Sequence, residues 1–185
     1  VAQYDWYPMF RGRLVAINDR PVSMDDYEDD RAKRLVDREF NLSNAHDAPE
    51  HNPIVGGRWT PDEHGAVSVE EGIAKTLGLK LGDRLRFDIA GVQSEARITS
   101  LRQVDWSSMR ANFFVMYPVA HMPDVPYTYL AAYRAPQQPG FDNALVHAFP
   151  NITNVDMSAT LAQVQGVLAQ VIRAVEFLFA FTLAA

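Results

Sequence analysis

Residues 84–102 read RLRFDIAGVQSEARITSLR, and this stretch decides the class of the fold. Apolar and charged residues alternate in its first part, and Ala90-Gly91 is a turn signal. The positions expected to face inward are Leu85, Phe87, Ile89, Ala96, Ile98 and Leu101. The positions expected on the opposite face of the return strand are Arg97, Thr99 and Arg102. Such alternation predicts an antiparallel pair of strands with one buried face.

A short helix is predicted immediately before this hairpin. Residues 68–71, Ser-Val-Glu-Glu, match the capping box in which a serine and a glutamate satisfy free backbone N–H groups, with Ser68 as the N-cap. Apolar residues follow at helical spacing, and Gly78 stands where a left-handed C-cap residue belongs. The helix is therefore expected to end where the chain turns into the hairpin.

Strand and helix patterns flank this central region on both sides. The first strand, residues 11–17, is expected to stop at the turn signal Asn18-Asp19. The other predicted elements are a helix over 26–37, strands over 38–42, 53–59, 112–117 and 127–133, a helix over 141–149, a strand over 152–156 and a helix from Ser158 onward. This order predicts an α+β protein with a mixed sheet, in which two similar halves flank an inserted β-rich module.

Composition excludes several classes of function. The chain has 185 residues, 48% of them apolar, and a formal net charge of −6, without a cluster of basic residues. A protein that binds nucleic acid through phosphates normally carries a basic face, so nucleic acid is not an expected partner. Cysteine is absent, which excludes disulfides, thiolate metal sites and cysteine nucleophiles.

Residue types that bind metals occur together only between positions 44 and 64. His46, Asp47, Glu50 and His51 lie close in sequence, and His64 follows, but their spacing matches no zinc motif and indicates a solvated loop. The acidic run 25–30 lacks the glycine and terminal glutamate of a calcium-binding loop. Since no serine elbow or phosphate-binding motif is present either, the sequence predicts no catalytic, cofactor-binding or metal-binding residue.

One segment combines charge, an amide and aromatic rings within a few positions. Its members are Asp105, Trp106, Arg110, Asn112 and Phe113, and they form a candidate surface for a ligand or a partner. The alternative interpretation is structural: an Arg–Asp pair beside a buried tryptophan at a strand junction. In that interpretation Trp106 anchors the hairpin to the strand over 112–117.

These segments together resemble the extracytoplasmic loop of FtsX/MacB-type ABC transporter permeases, and most closely the YbbP-like branch of predicted permeases. The resemblance is carried by residues 68–83, 90–91, 101–106 and 112–114, and also by 38–43 and 55–59. It implies a porter-like βαβ layer formed by residues 1–59 and 119–157. A sabre-like β-rich module, residues 60–118, splits that layer, and a stalk helix, residues 158–185, leads into a truncated transmembrane helix.

The same resemblance implies a function outside the membrane. It implies a periplasmic domain, on the periplasmic side of the bacterial inner membrane, that transmits ATP-driven conformational change to the handling of a substrate or partner. The implied partners are a cytoplasmic ATP-binding subunit, a second permease copy and the membrane, reached through the C-terminal helix. The resemblance implies no enzyme activity, no catalytic residue and no cofactor.

Two other functions fit the residues alone. A soluble module that binds a small molecule or lipid would line a pocket with Trp106, Phe113, Phe114 and Tyr117. A hydrolase would place its histidines and carboxylates in the 44–63 region. Each of these two hypotheses requires its side chains to lie close together in the folded chain, whereas the permease hypothesis does not.

The C-terminal helix is expected to present an apolar stripe to the domain or to a partner. Its members are Leu161, Val164, Leu168, Val171, Ile172 and Val175. Ser158 is the expected N-cap. No charge follows Glu176, and residues 177–185 are therefore predicted to begin a transmembrane helix, although they are too few to span a bilayer.

Overall fold

The 14-residue strand β1 (Tyr4–Ile17) pairs with four other strands. The computed structural model describes residues 4–108 and 110–183, apart from the side chains of residues 158–162, 164 and 177–183. β1 ends at the predicted turn. Asn18 and Asp19 have φ angles of 49° and 63°, the geometry of a two-residue hairpin, and the chain returns as β2 (Arg20–Pro21).

The remaining elements follow in chain order. After a 3₁₀ turn (Met24–Asp26) they are α1 (Asp30–Asp37), β3 (Phe40–Asn44), β4 (Ile54–Gly57), β5 (Ala66–Glu70), α2 (Glu71–Leu77), β6 (Arg84–Ile89), β7 (Val92–Arg102), β8 (Val115–Tyr117), β9 (Thr128–Tyr133), α3 (Phe141–Ala148) and α4 (Ser158–Leu183).

Six of the strands close into a ring. β1 pairs with β3, β3 with β8, β8 with β5, β5 with β7, β7 with β6, and β6 with β1. β3–β8 and β5–β7 are parallel, and the other pairs of the ring are antiparallel. β2 and β9 extend the sheet from β1, and β4 extends it from β7. The predicted α+β class with a mixed sheet is therefore confirmed.

The interior of the ring is filled with apolar side chains, as in other small closed sheets. Alternate residues of β8 show the two faces, since Val115 and Tyr117 join the main core and Met116 joins a smaller outer cluster. The outer cluster consists of Ala111, Phe113 and Met116, with Tyr7, Met9, Ala45 and Trp59 packed against it. The buried residues that α1 and α2 add to the main core are Ala32, Leu35, Val36, Ile73, Ala74 and Leu77.

Helix α2 begins later than its capping box predicts. β5 pairs with both β7 and β8 through residue 69 and continues to Glu70, so Ser68 lies in a strand and is buried. Glu70 is the N-cap instead, and its carboxylate accepts hydrogen bonds from the N–H groups of Gly72 and Ile73 at 2.8 and 2.7 Å. The C-terminal end is as predicted, because Gly78 adopts a left-handed conformation with φ 69°.

The helix predicted over residues 26–37 is shorter in the structure. Ser23 caps the 3₁₀ turn, and Asp29 then caps α1 by accepting a hydrogen bond from the Ala32 N–H at 2.8 Å. Two side chains that compete for the backbone therefore divide the acidic run into a turn and a helix.

Contacts divide the chain into two compact units, Val1–Arg134 and Ala135–Ala185. Within the first unit, β5, β6, β7 and β8 from residues 60–118 close the ring together with β1 and β3. Residues 128–133 also join the sheet of β1, where Tyr4–Met9 pair with Tyr133–Thr128.

The second unit contains α3 and α4. The strand predicted over residues 152–156 is wrong: this stretch has no regular structure, and Asn154 Nδ2 donates to Asp142 Oδ1 at 2.7 Å. Asparagine side chains favour such local bonds over a sheet ladder. No helix in the described part of the chain is long and apolar enough to cross a membrane. The predicted cap at Ser158 and the side chains of residues 177–185 lie outside the described residues.

Two glycines with similar backbones give a matched test of the ring. Gly57 and Gly65 both have positive φ, 67° and 73°, but a Cβ at Gly57 would lie 2.1 Å from the Thr99 carbonyl oxygen, whereas Gly65 has open space. Gly65→Ala is expected to cost about 1–2 kcal/mol for its left-handed backbone. Gly57→Ala is expected to cost about 1–3 kcal/mol more, because β7 must move. Urea unfolding of the two variants measures the difference, and equal losses would contradict this packing.

Candidate functional site

The five predicted site residues all lie in the segment between β7 and β8, residues 103–114, which we call the crossing segment. Its exposed part begins with a tight turn at Asp105. The Asp105 carboxylate accepts hydrogen bonds from the Ser107 N–H at 2.9 Å and the Ser107 hydroxyl at 2.6 Å. These bonds lower the pKa of Asp105, so the carboxylate is committed to the turn.

Asn112 ties the crossing segment together. Its Nδ2 group lies 3.3 Å from the Asp105 carbonyl oxygen and 3.2 Å from that of Arg110, and its Oδ1 accepts a hydrogen bond from Asn52 Nδ2 at 3.1 Å. Arg110 Nε lies 3.7 Å from the Asp5 carboxylate on β1. The segment is thus held by side chains from β1 and from the loop between β3 and β4.

Trp106 and Phe113 exchange the roles that the sequence indicated. Trp106 is 50% exposed and packs its ring on that of Phe114, with centroids 4.9 Å apart. Phe113 is only 2% exposed and belongs to the outer cluster, where it meets Tyr7 edge to face at 6.0 Å. The prediction of a buried Trp106 is therefore wrong, and so is the Arg–Asp pair, because Asp105 binds Ser107 and Arg110 lies near Asp5.

The side chain that holds the crossing segment is Arg102, which is fully buried. Its Nη2 group donates to the Phe113 carbonyl oxygen at 2.9 Å, its Nη1 group to Asn52 Oδ1 at 2.7 Å, and its Nε group to Ser68 Oγ at 3.0 Å. The prediction that Arg102 faces outward is wrong. Strict alternation continues to the end of β7, and the buried face carries Ala96, Ile98, Ser100 and Arg102.

Burial changes the acid–base behaviour of Arg102 without discharging it. Loss of solvent lowers the pKa of the guanidinium to about 10, and the nearby Glu70 carboxylate opposes this shift. The group therefore stays charged at neutral pH. The charged guanidinium donates hydrogen bonds that are stronger than those between neutral groups, and these bonds offset the cost of its burial.

Asn52 is a second residue of this network that the sequence did not reveal. It accepts a hydrogen bond from Arg102 and donates one to Asn112, so it relays the buried charge to the exposed segment. It is buried although it lies in the polar loop between β3 and β4. The alternation of residues along β7 is the signal that reveals this network. It places Arg102 on the buried face, and a buried charged group requires buried polar partners.

The histidine-rich loop does not converge on one point. His46 contacts Asp47 at 3.1 Å and Asp62 at 3.4 Å, whereas His51 Nε2 lies 3.3 Å from the Ala111 carbonyl oxygen. His64 lines a cavity at one end of the ring. Among the described residues, no group of three or more histidine and acidic side chains is placed to hold a metal ion.

The aromatic pocket of the small-molecule hypothesis is not assembled. Tyr117 faces the interior of the ring and lines the cavity that His64 also lines. Trp106, Phe113 and Phe114 do not line that cavity, and Phe113 lies in the outer cluster. The residues quoted for this hypothesis therefore lie on different faces of the sheet.

Comparison with known proteins finds similarity to an ABC transporter permease. The chain is 40% identical over 161 residues to the uncharacterized ABC transporter permease YbbP of Escherichia coli (strain K12), a match that covers 86% of this chain and 19% of the relative. The chain thus spans about a fifth of that permease's length. A crystal structure of a domain of a predicted permease protein from Porphyromonas gingivalis covers 86% of this chain and 67% of its own, at 13% identity and a TM-score of 0.42. No protein-family model matches the chain.

Replacing Arg102 tests whether its hydrogen bonds hold the crossing segment. Arg102→Met leaves Asn52 Oδ1 and the Phe113 carbonyl oxygen without their charged donor, and hydrogen bonds to charged groups contribute about 1.5–3 kcal/mol each. We expect a loss of at least about 3 kcal/mol in the free energy of unfolding. Arg97→Met, an exposed change on the same strand, should stay within about 0.5 kcal/mol. A stable Arg102→Met protein would contradict the role given to Arg102.

The exchange of roles between Trp106 and Phe113 predicts an order of stabilities. Phe113→Ala empties a buried site and should cost about 3–5 kcal/mol. Trp106→Ala should cost about 1–2 kcal/mol, because half of the ring is already in solvent and only the contact with Phe114 is lost. Thermal unfolding of both variants checks this order, and the reverse order would restore the buried-tryptophan hypothesis.

The His46 loop predicts a small dependence of stability on pH. The hydrogen bond to Asp47 raises the pKa of His46 above its ordinary value of 6.5. The contribution of this pair is therefore complete below about pH 6.5 and is lost as the pH rises through the raised pKa. An NMR titration should find the His46 pKa lowered in Asp47→Asn, with His147 as an unchanged control. An identical His46 pKa in both proteins would show that Asp47 does not act on it.

Proposed function

The chain is homologous to a segment of an ABC transporter permease, and on this premise we propose that it forms the extracytoplasmic domain of a YbbP-like permease. The observation that carries the proposal is the 40% identity over 161 of its residues. The domain stands on the periplasmic side of the bacterial inner membrane. It transmits ATP-driven conformational change to a substrate or a partner outside the membrane, and it is not itself an enzyme.

The crossing segment is the part that we propose meets the partner. Asp105, Trp106 and Arg110 are exposed, whereas the Asn112–Asn52–Arg102 relay ties the same segment to the closed ring. A surface held in this way moves with the ring as one body, because closely packed interiors transmit displacement. An exposed tryptophan beside an arginine is also the composition of a binding hot spot.

Helix α4 is the proposed connection to the rest of the permease. It runs from Ser158 to Leu183 and exposes five apolar side chains at helical spacing: Val167, Leu168, Val171, Ile172 and Val175. We propose that this stripe packs against the second copy of a permease homodimer. Residues 177–185 then continue into the membrane, and a separate cytoplasmic ATP-binding subunit drives the movement.

The correspondence with the permease family also remains a proposal. In it, residues 1–59 and 119–157 are the porter-like layer, residues 60–118 are the sabre-like module, and residues 158–185 are the stalk. The shared sheet supports a close association of the first two parts, since strands from both form the ring.

Labelling of single cysteines tests on which side of the membrane the domain lies. The chain contains no cysteine, so Val92→Cys at the exposed hairpin turn gives one thiol in this segment of the full-length permease. With other cysteines of that permease replaced, a membrane-impermeant maleimide should label Val92→Cys in cells whose outer membrane has been permeabilised. Val67→Cys, at a fully buried position, is the matched control and should not react. Labelling of Val92→Cys only after the inner membrane is disrupted would refute the periplasmic location.

A further inference from the structure

One end of the closed ring contains a cavity of about 90 Å³. The parallel strands β5 and β7 both begin near this end, whereas Arg102 is the last residue of β7 and lies at the opposite end. The lining residues that matter chemically are Glu63, His64, Ser94, Tyr117 and His121. The cavity is therefore separate from the crossing segment and from everything proposed for it above.

The inner wall of the cavity carries a buried hydroxyl without a partner. Tyr117 is 4% exposed, and within the described part of the chain its hydroxyl oxygen has no hydrogen bond of acceptable geometry, although Ser94 lies near it. Burial raises the pKa of this phenol to about 12, so it stays neutral and keeps both a donor and an acceptor. Buried polar atoms normally have partners, and an unpartnered one facing a cavity indicates something that fills it.

The mouth of the cavity carries one negative charge that the protein does not neutralise. Glu95 is paired with Arg86 at 2.9 Å, but the Glu63 carboxylate has neither an ion pair nor a hydrogen bond among the described residues. The uncompensated charge therefore favours a cation.

We propose that this cavity binds a primary ammonium group. The ammonium donates one hydrogen bond to the Glu63 carboxylate and one to the Tyr117 oxygen, and the Tyr117 O–H donates to Ser94. A volume of about 90 Å³ is about three times the space of one water molecule in the liquid, which suits an ammonium with a few carbon atoms. Both a short free alkylamine and the end of a lysine side chain from another protein have this chemistry.

Binding measurements on the 185-residue chain test the proposal. In NMR titrations, propylammonium or Nα-acetyl-lysine amide should shift the signals of Tyr117 and Ser94, whereas propanol and the Nε-acetylated lysine derivative should not. Saturation by propylammonium alone identifies a free amine as the ligand, and saturation by the lysine derivative identifies a protein side chain. If neither cation saturates the chain at concentrations up to about 50 mM, the proposal is overturned. Equal binding of propanol would also overturn it.

Two isosteric variants locate the bound group. Glu63→Gln removes the charge and Tyr117→Phe removes the hydroxyl, and each should weaken binding at least about tenfold, which is about 1.4 kcal/mol. Glu28→Gln and Tyr129→Phe make the same chemical changes at exposed positions and should leave the affinity unchanged. Because Glu63 is at the surface of the cavity, its variant stays informative even if the tyrosine variant is unstable. Unchanged affinity in Glu63→Gln would overturn the assignment.

Discussion

The buried charge of Arg102 is the constraint on which the first unit depends. A guanidinium removed from water needs several hydrogen-bond acceptors, and here they come from β5, from the loop after β3 and from the crossing segment. Three parts of the chain that are distant in sequence are thereby fixed at one end of the ring. Apolar packing alone would hold them less specifically, because it has no preferred direction.

The sequence predicted elements whose signals are local. The hairpin of β6 and β7, the turn at Asn18-Asp19 and the C-cap at Gly78 follow from alternation and from backbone preferences, and the structure confirms them. Closure of the ring was not predictable in this way, because it depends on pairings such as β3 with β8 between residues that are about 70 apart. Local signals also misled: Ser68 matches a capping box, but two neighbouring strands hold it in β5.

Two of the five candidate residues are placed differently from what the sequence indicates. All five residues lie in the crossing segment, yet Trp106 is half exposed and Phe113 is the buried ring. Arg102 is buried despite its charge because it stands in phase with Ala96 and Ile98 on β7, and because Ser68 and Asn52 supply acceptors. For the permease proposal this matters, because a segment anchored from inside can carry force to a partner.

Native-state hydrogen exchange of Arg102→Lys measures the central claim most directly. Lysine keeps the positive charge but cannot reproduce the planar set of donors that reaches Ser68, Asn52 and Phe113 together. The amides of Gln103, Ser107 and Ser108 should lose protection selectively, while those of β6 exchange as in the unchanged protein. Equal exchange of the crossing segment in both proteins would contradict the claim that Arg102 holds it, and so would a uniform loss across the ring.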